Sequence, residues 1–442
     1  MCDTFVILPE FTSSNTFFFG KNSDRDPNEA QEVVIIPAKE FGKGESLKCT
    51  YITIPQAARI NKIILSKPVW IWGAEMGVNE YGVVIGNEAV FPNVPAGKEP
   101  GLIGMDYLRL GLERGNSAEA AMDVITSLLE RYGQSGNCGF THPFYYNNSF
   151  IIADSSHAWK LETYGKEWVA EEITQFGSIS NRYSIESKWD RISAQFLQKI
   201  NENKRRRKND PINIKELISD RIFTHFSDSK KRESCTYNKI KETGSKISTI
   251  DLFNILRTHD IDVEYSPDRG ITGSDVCMHA GFGPIRKSQT TGSMVVEQSN
   301  GEMIIWMTGS SSPCLSQFKP MSLRQDFNYF GPAPDVYYDD QSYWWQQERI
   351  HRLILKDYKK QSVSYIDANK KLEDKFLERV RQSDDLLDTI ADCFDEAWLF
   401  QKEWLERLGK QRISHQTNFL YRSAWKKNNN LAKFPQGILQ ML

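Results

Sequence analysis

A cysteine at position 2, behind Met1 and ahead of the run Thr4-Phe5-Val6-Ile7-Leu8, can hold two chemistries in one residue. Cells commonly remove an initiator methionine when the next residue is as small as cysteine. Cys2 would then carry a thiol and a free α-amine on the same carbon. The thiolate is a strong nucleophile. An α-amine titrates at a pKa of about 7.7–8.0, so near neutral pH it can accept a proton. One residue then supplies both nucleophile and base, as an N-terminal threonine does with its own amine. The plainer alternative is a small residue opening a strand.

The elements around it decide between these readings. The apolar run reads as a buried strand over residues 4–8, and the polar stretch 9–15 turns the chain. Residues 16–20 return as an antiparallel partner. A hairpin sets the start of its first strand beside the end of its second. Lys21 to Asp24 are therefore expected next to Cys2, in a charged loop that closes with Asp26-Pro27. A lysine or a carboxylate there would orient the amine and tune the thiol. An ordinary Asp-Pro turn has the same composition.

Further strands are expected at 32–37 and 49–54. Residues 69–88 read as strand, turn, strand, with Asn79-Glu80-Tyr81-Gly82 as the turn. Asn87 then ends an apolar strand, where its amide would either donate to a developing oxyanion or simply finish the strand. Residues 102–114 and 118–132 read as two helices broken at Gly115-Asn116-Ser117, with Asn116 or Ser117 as N-cap. A second β region runs through 149–154, 158–163 and 168–170 and ends at 178–183, which carries Asn181. Helices are expected at 185–202, 212–226 and 249–258, with a polar stretch over 227–234. Residues 290–296 and 303–308 form a hairpin. From about residue 340 the chain reads as helices that cover the core, with Ile350, Leu353, Ile354 and Tyr358 on one face.

Composition narrows the classes. The chain has 442 residues, 40% apolar and 25% charged, enough for a substantial core. Its 55 basic and 57 acidic residues give a net charge of -2, which argues against a general nucleic-acid or membrane-surface binder. The seven cysteines are widely spaced with no C-x-x-C, which disfavours a zinc ribbon, a thioredoxin-like motif and a secreted disulfide framework. No signal peptide and no membrane span are expected, which makes the cytoplasm the default compartment. The run Lys204 to Lys208 reads as a solvated helix end rather than a targeting or nucleic-acid patch. Asp275, Cys277 and His279 alternate and would share one strand face as a metal triad. Three neighbours on one strand cannot easily surround an ion, however, and no second ligand set is evident, so no metal or cofactor is expected.

Several segments then converge. Met-Cys-Asp-Thr-Phe-Val at 1–6, Phe-Gly-Lys-Asn-Ser-Asp-Arg at 19–25 and Gln-Glu-Val-Val at 31–34 resemble the opening of the secernins. So do Gly-Val-Asn-Glu-Tyr-Gly-Val-Val-Ile-Gly-Asn-Glu at 77–88, Ile-Ser-Asn-Arg at 179–182, Cys-Met-His-Ala-Gly at 277–281 and Gln-Thr-Thr-Gly-Ser-Met at 289–294. Trp-Met-Thr-Gly at 306–309 and Pro-Cys-Leu-Ser at 313–316 complete the set. The secernins belong to the dipeptidase-like branch of the N-terminal-nucleophile hydrolases.

The resemblance, which spans about residues 1 to 320, implies an α+β, four-layer αββα sandwich; with the helices read beyond residue 340, the hydrolase-type domain is expected over residues 1–335 and a helical extension packed on it at 336–442. It implies a cysteine-type dipeptidase acting on a small peptide or acyl amide, without a cofactor. Cys2 would attack and its amine would serve as base. Asp24 matches the family aspartate, and Lys21 stands where related amidases have arginine, keeping the charge without the bidentate fork. Asn87 matches the oxyanion asparagine and Asn181 the asparagine that holds amine and substrate. Arg232 is a candidate for a further family arginine, outside the expected set. Some relatives cut away a propeptide, whereas here Met1 alone precedes the cysteine. Secernins are also associated with regulated exocytosis, so a binding or regulatory protein on a hydrolase scaffold is the competing expectation.

Overall fold

The computed structural model describes residues 1–202, 212–220, 227–259, 265–270, 272–283, 286–411, 417–435 and 437. Fourteen strands build two antiparallel sheets. In chain order they are β1 Cys2–Ile7, β2 Phe17–Arg25, β3 Gln31–Ile36, β4 Ile63–Pro68, β5 Met76–Asn79, β6 Val84–Val90 and β7 Asn147–Ala153. There follow β8 Ala158–Tyr164, β9 Glu167–Ile173, β10 Phe176–Ile179, β11 Arg191–Ile192, β12 Gln289–Ser299, β13 Glu302–Met307 and β14 Lys319–Met321. One sheet has the order β10-β1-β2-β12-β13-β14, the other β11-β9-β8-β7-β6-β5-β4-β3.

Alternation along β1 sends successive side chains to opposite faces. Val6 and Leu8 turn inward with Phe17 and Phe19, against Ile64, Val78, Val84 and Ile151 of the second sheet. Phe5, Ile7 and Phe18 turn outward, into a separate core with Leu252, Phe253, Phe376 and Cys393. The two sheets thus pack face to face, and each carries helices on its other side. Helices α1 Gly104–Arg114 and α2 Ala118–Tyr132 cover the second sheet through Leu108, Leu112, Ile125 and Leu129. The remaining α-helices among the described residues are α3 Ala194–Asn201, α4 Ile214–Ile218, α5 Ser229–Thr243, α6 Thr249–Leu256, α7 Tyr343–Leu355, α8 Tyr358–Arg381, α9 Leu386–Gly409 and α10 Phe419–Leu431. Residues of α5, α6, α8 and α9 share the outward core of the first sheet. This is the expected four-layer αββα arrangement. Burial of each large apolar side chain contributes roughly 1.5–3 kcal/mol, so these cores fix which face of each strand is available for chemistry.

Several elements depart from expectation for local reasons. Residues 21–24 are not a loop: β2 runs on to Arg25, paired with β1 on one side and β12 on the other. Of the stretch 49–54, residues 49–52 are a turn between two short strands, Ser46–Lys48 and Thr53–Pro55, closed by Cys49 N donating to Ile52 O (2.9 Å). Asn87 lies in mid-strand opposite Phe150, not at a strand end. The segment expected to close the second β region crosses to the first sheet, where β10 pairs with β1. Of 185–202 only α3 is helical, because Arg191–Ile192 pairs with β9 as β11, and the buried Glu162 carboxylate holds the backbone N–H groups of Ser184 (2.5 Å) and Ile185 (3.2 Å). Of 212–220 only the five residues of α4 are helical; 221–226 lie outside the described residues, as does the charged run 204–208. The polar stretch 227–234 instead begins α5. No helix among the described residues is long and apolar enough to cross a membrane.

Candidate active site

Cys2 opens β1 on the inner face, opposite Ser23, and is only 4% exposed. Its backbone nitrogen donates to Asn181 Oδ1 (2.7 Å). Asn181 is there because β10 ends at Ile179, one strand away, and Asn181 Nδ2 is anchored on Ala89 O (2.9 Å). The same Oδ1 accepts from Arg232 Nη2 (2.8 Å). Arg232 Nη1 donates to Cys2 O (3.0 Å) and Asp3 Oδ2 (2.5 Å) and lies 4.0 Å from Asp24 Oδ2. Arg232 comes from the first turn of α5, so one helix grips the main chain of the second residue.

Asp24 lies on the next strand. Its backbone nitrogen is 3.4 Å from Cys2 Sγ, and its carbonyl accepts from the Met1 ammonium (2.8 Å). Its Oδ1 accepts from Thr290 Oγ1 (2.6 Å). The pairing of β2 with β12 slips between Thr290 and Gly292, and such a bulge re-aims side chains. Burial pushes the Asp24 carboxyl up to about 7, against the pull of the Met1 ammonium and Arg232.

Lys21 occupies the inner face, two residues behind Ser23. Its Nζ donates to Asn87 O (2.5 Å) and pairs with Glu88 Oε1 (3.3 Å), which also accepts from Thr4 Oγ1. Glycine is required opposite: a Cβ on Gly86 would fall 2.6 Å from Lys21 Cδ. Asn87 itself meets Glu75. With its amide turned, it donates to Glu75 O (2.9 Å) and Glu75 Oε2 (3.2 Å). Glu75 Oε2 is 4.0 Å from Cys2 Sγ, and Glu75 Oε1 pairs with Arg25 Nη1 (3.2 Å). Burial pushes the Cys2 thiol up to about 11. The Lys21 and Met1 cations oppose this, while Glu75 and Asp24 reinforce it.

Cys2, Asp24 and Asn181 thus come together directly, Asn87 joins through Glu75, and Lys21 acts from behind through the field of its buried ammonium. Arg232, left outside the expected set, is at the centre. Sequence reading also missed Arg25, Glu75 and Thr290. Arg25 and Thr290 sat inside matched segments, and Glu75 just ahead of one, without a role that spacing could reveal.

The expected strand over 274–279 is absent. Cys277 N donates to Thr258 O (3.0 Å), Val276 O accepts from Asn22 Nδ2 (2.7 Å) and Met278 N donates to Thr290 Oγ1 (3.0 Å), so no ladder forms. Asp275 turns to Lys231 (3.5 Å). Cys277 and His279 instead meet His259 and Cys314, with one donor atom from each within 4.8 Å of the others. That corrects the expectation that no second ligand set exists.

A hollow of about 370 Å³ over Ile250, Leu377 and Arg381 lies on the helical layer, formed by none of the residues around Cys2. A small one of about 10 Å³ is lined by Met1, Ser274, Met278 and Arg286.

No family model matches the chain. Among solved structures, a mutant of conjugated bile acid hydrolase from Clostridium perfringens aligns with TM-score 0.45 at 12% identity, over 74% of this chain and 94% of that one. Penicillin V acylase from Agrobacterium tumefaciens aligns at 0.41 and 12%, over 73% and 86%. The Caenorhabditis elegans ortholog of N-acylethanolamine-hydrolyzing acid amidase aligns at 0.32 and 11%, over 66% and 92%. With scores this low, the four-layer arrangement rests on the strand order and the cores.

Proposed function

We propose that this chain is an amide-bond hydrolase that uses Cys2 as an N-terminal nucleophile after loss of Met1, and that its substrates are short peptides, dipeptides foremost. The observation that carries this reading is the grip on the Cys2 nitrogen: Asn181 Oδ1 accepts from it at 2.7 Å and is itself fixed by Arg232 at 2.8 Å. A strand-opening cysteine with only a packing role needs no buried asparagine and arginine on its main chain.

With Met1 gone, that nitrogen becomes an amine. It takes the thiol proton, and the thiolate attacks the scissile carbonyl carbon. The carbonyl electrons move onto oxygen, where Asn87 and a backbone N–H stabilise them. The protonated amine passes its proton to the leaving nitrogen as the C–N bond breaks, leaving a thioester on Cys2. The amine then draws a proton from water, hydroxide adds to the thioester, and the acid and the Cys2 thiol are released. Asp24 and Arg232 hold the charge balance around the amine. Loss of Met1 also frees its side-chain volume beside Ser274, where Ser274 Oγ lies 3.9 Å from Met1 Sδ. A space the size of one side chain suits a short substrate.

One observation favours the scaffold reading for the unprocessed chain. With Met1 attached, the thiol is enclosed and pushed up to about 11, so it is protonated at neutral pH. Intact mass with site-mapped thiol labelling separates the two states. A mass lacking methionine, fast labelling at Cys2 and turnover of a dipeptide panel that vanishes in Cys2→Ala support the hydrolase. A retained Met1, or equal turnover by pure Cys2→Ala, sinks it.

A further inference from the structure

We propose that His259, Cys277, His279 and Cys314 form a structural zinc site that ties three separate segments of the chain together beside the Cys2 centre.

The donor set comes first. Two thiols and two imidazoles, with no carboxylate among them, suit zinc rather than magnesium or calcium. Bonds of about 2.3 Å to sulfur and 2.0–2.1 Å to nitrogen give tetrahedral edges of roughly 3.3–3.8 Å. His279 Nε2 lies 3.7 Å from Cys277 Sγ and 3.2 Å from Cys314 Sγ, already near those edges. His259 Nε2 is buried with no hydrogen-bond partner. Leaving a buried ring nitrogen unpaired costs stability, and a metal bond would remove that cost.

The hydrogen-bond chain behind His279 fixes its tautomer. Glu348 is held by Arg352 Nε (2.7 Å), Gln289 Nε2 (3.2 Å) and Ser311 Oγ. Its Oε2 faces His351 Nδ1 at 3.2 Å, so that nitrogen carries a proton and donates. With His351 neutral, its Nε2 is an acceptor, 3.3 Å from His279 Nδ1, which then carries the donated proton, and Ser312 Oγ lies 3.3 Å from the same Nε2. His279 Nε2 is left bare, facing both sulfurs. A ligating histidine whose other nitrogen donates to a fixed partner is the usual outer arrangement of a zinc site.

The placement says what the site is for. His259 follows α6, Cys277 and His279 lie in the irregular segment after residue 272, and Cys314 follows β13. That segment makes no strand ladder, yet its backbone meets Asn22 and Thr290, and Thr290 holds Asp24. All four positions are filled by protein, so none is open to substrate and the role is structural. Binding Zn²⁺ releases the two thiol protons to solvent and changes no oxidation state.

The test uses the full chain, without a histidine tag, purified in reductant. Plasma mass spectrometry should find about one zinc per chain. Refolding with Co²⁺ in place of zinc should give the intense visible bands of tetrahedral thiolate-bound cobalt. Cys2→Ala should keep its zinc and Cys314→Ser should lose it. His351→Gln, which disturbs only the outer chain, should weaken zinc binding about 10–100-fold in chelator competition. The wild-type measurement needs no variant to fold. The proposal falls if the wild type holds no stoichiometric zinc as purified and takes up none under reducing conditions, if Cys277 and Cys314 are joined in a disulfide, or if zinc follows Cys2 instead.

Discussion

Cys2 and Cys314 are both buried cysteines in the same molecule, yet their surroundings are opposite. Around the Cys2 thiol, Glu75 Oε2 lies at 4.0 Å and the Asp24 backbone nitrogen at 3.4 Å, and the Glu75 and Asp24 carboxylates push it up against the pull of the Lys21 and Met1 ammonium groups. Burial therefore wins and lifts that thiol to about 11. Burial also works against ionising Cys314, but a hydrogen bond from Cys277 pulls the thiol well below the usual range. Burial alone therefore does not decide what a cysteine does; the sign and position of its neighbours do. One thiol, with Met1 attached, is held neutral by burial and the carboxylates beside it. The other sits among ligands that favour thiolate from the start.

The largest break in this comparison is Cys2→Ala. It deletes only a sulfur, so the fold and the zinc content should stand while peptide turnover falls by at least about 10³-fold. Matched turnover and metal assays on one sample read both sides at once. Second is Arg232→Leu, which leaves Asp3 buried without its cation. Breaking such a pair by removing one partner costs about 3–5 kcal/mol, and the urea midpoint should fall accordingly. An unchanged midpoint would mean that Asp3 is neutral in the fold and that Arg232 serves the Cys2 main chain alone.

Third is Asn87→Ala. If its amide donates to the oxyanion, kcat should drop about 10²–10³-fold, or about 2.7–4 kcal/mol in the barrier. A change confined to KM would assign Asn87 instead to holding Glu75 in place.

The Cys2 side of this comparison was largely legible in the sequence, because it is built from strands. Apolar runs such as Phe5 to Leu8 and Phe17 to Phe19 announce β1 and β2, and antiparallel pairing then brings Asp24 to Cys2 without further information. Arg232 was harder to place. The first turn of α5, Ser229 to Arg232, lies in what reads only as a polar stretch, and tertiary contact with Asp3 and Asn181 shows what it does. The metal side was misread for the same kind of reason. The alternation of Asp275, Cys277 and His279 suggested a strand, but side chains from Asn22 and Thr290 take the backbone groups a ladder would use. His259 and Cys314 then arrive from segments with no spacing relation to the pair.

The finest test is Asp24→Asn read against pH. An unperturbed aspartate has a pKa of about 3.9, while burial lifts Asp24 to about 7 in the fold. Between those values the folded chain keeps a proton that the unfolded chain has lost. The contribution of this group to stability is therefore complete below pH of about 3.9 and declines as pH rises toward 7. The slope is about 1.4 kcal/mol per pH unit for one full proton. Asparagine keeps an oxygen to accept from Thr290 but cannot titrate, so urea midpoints of Asp24→Asn should fall less steeply than wild type across that window. Glu88, lifted to about 7 by burial, should leave a residual slope in both. If the two slopes match, Asp24 is ionised throughout, held by Arg232 and the N-terminal ammonium, and the unprocessed Cys2 thiol has a fixed negative charge beside it across the whole window.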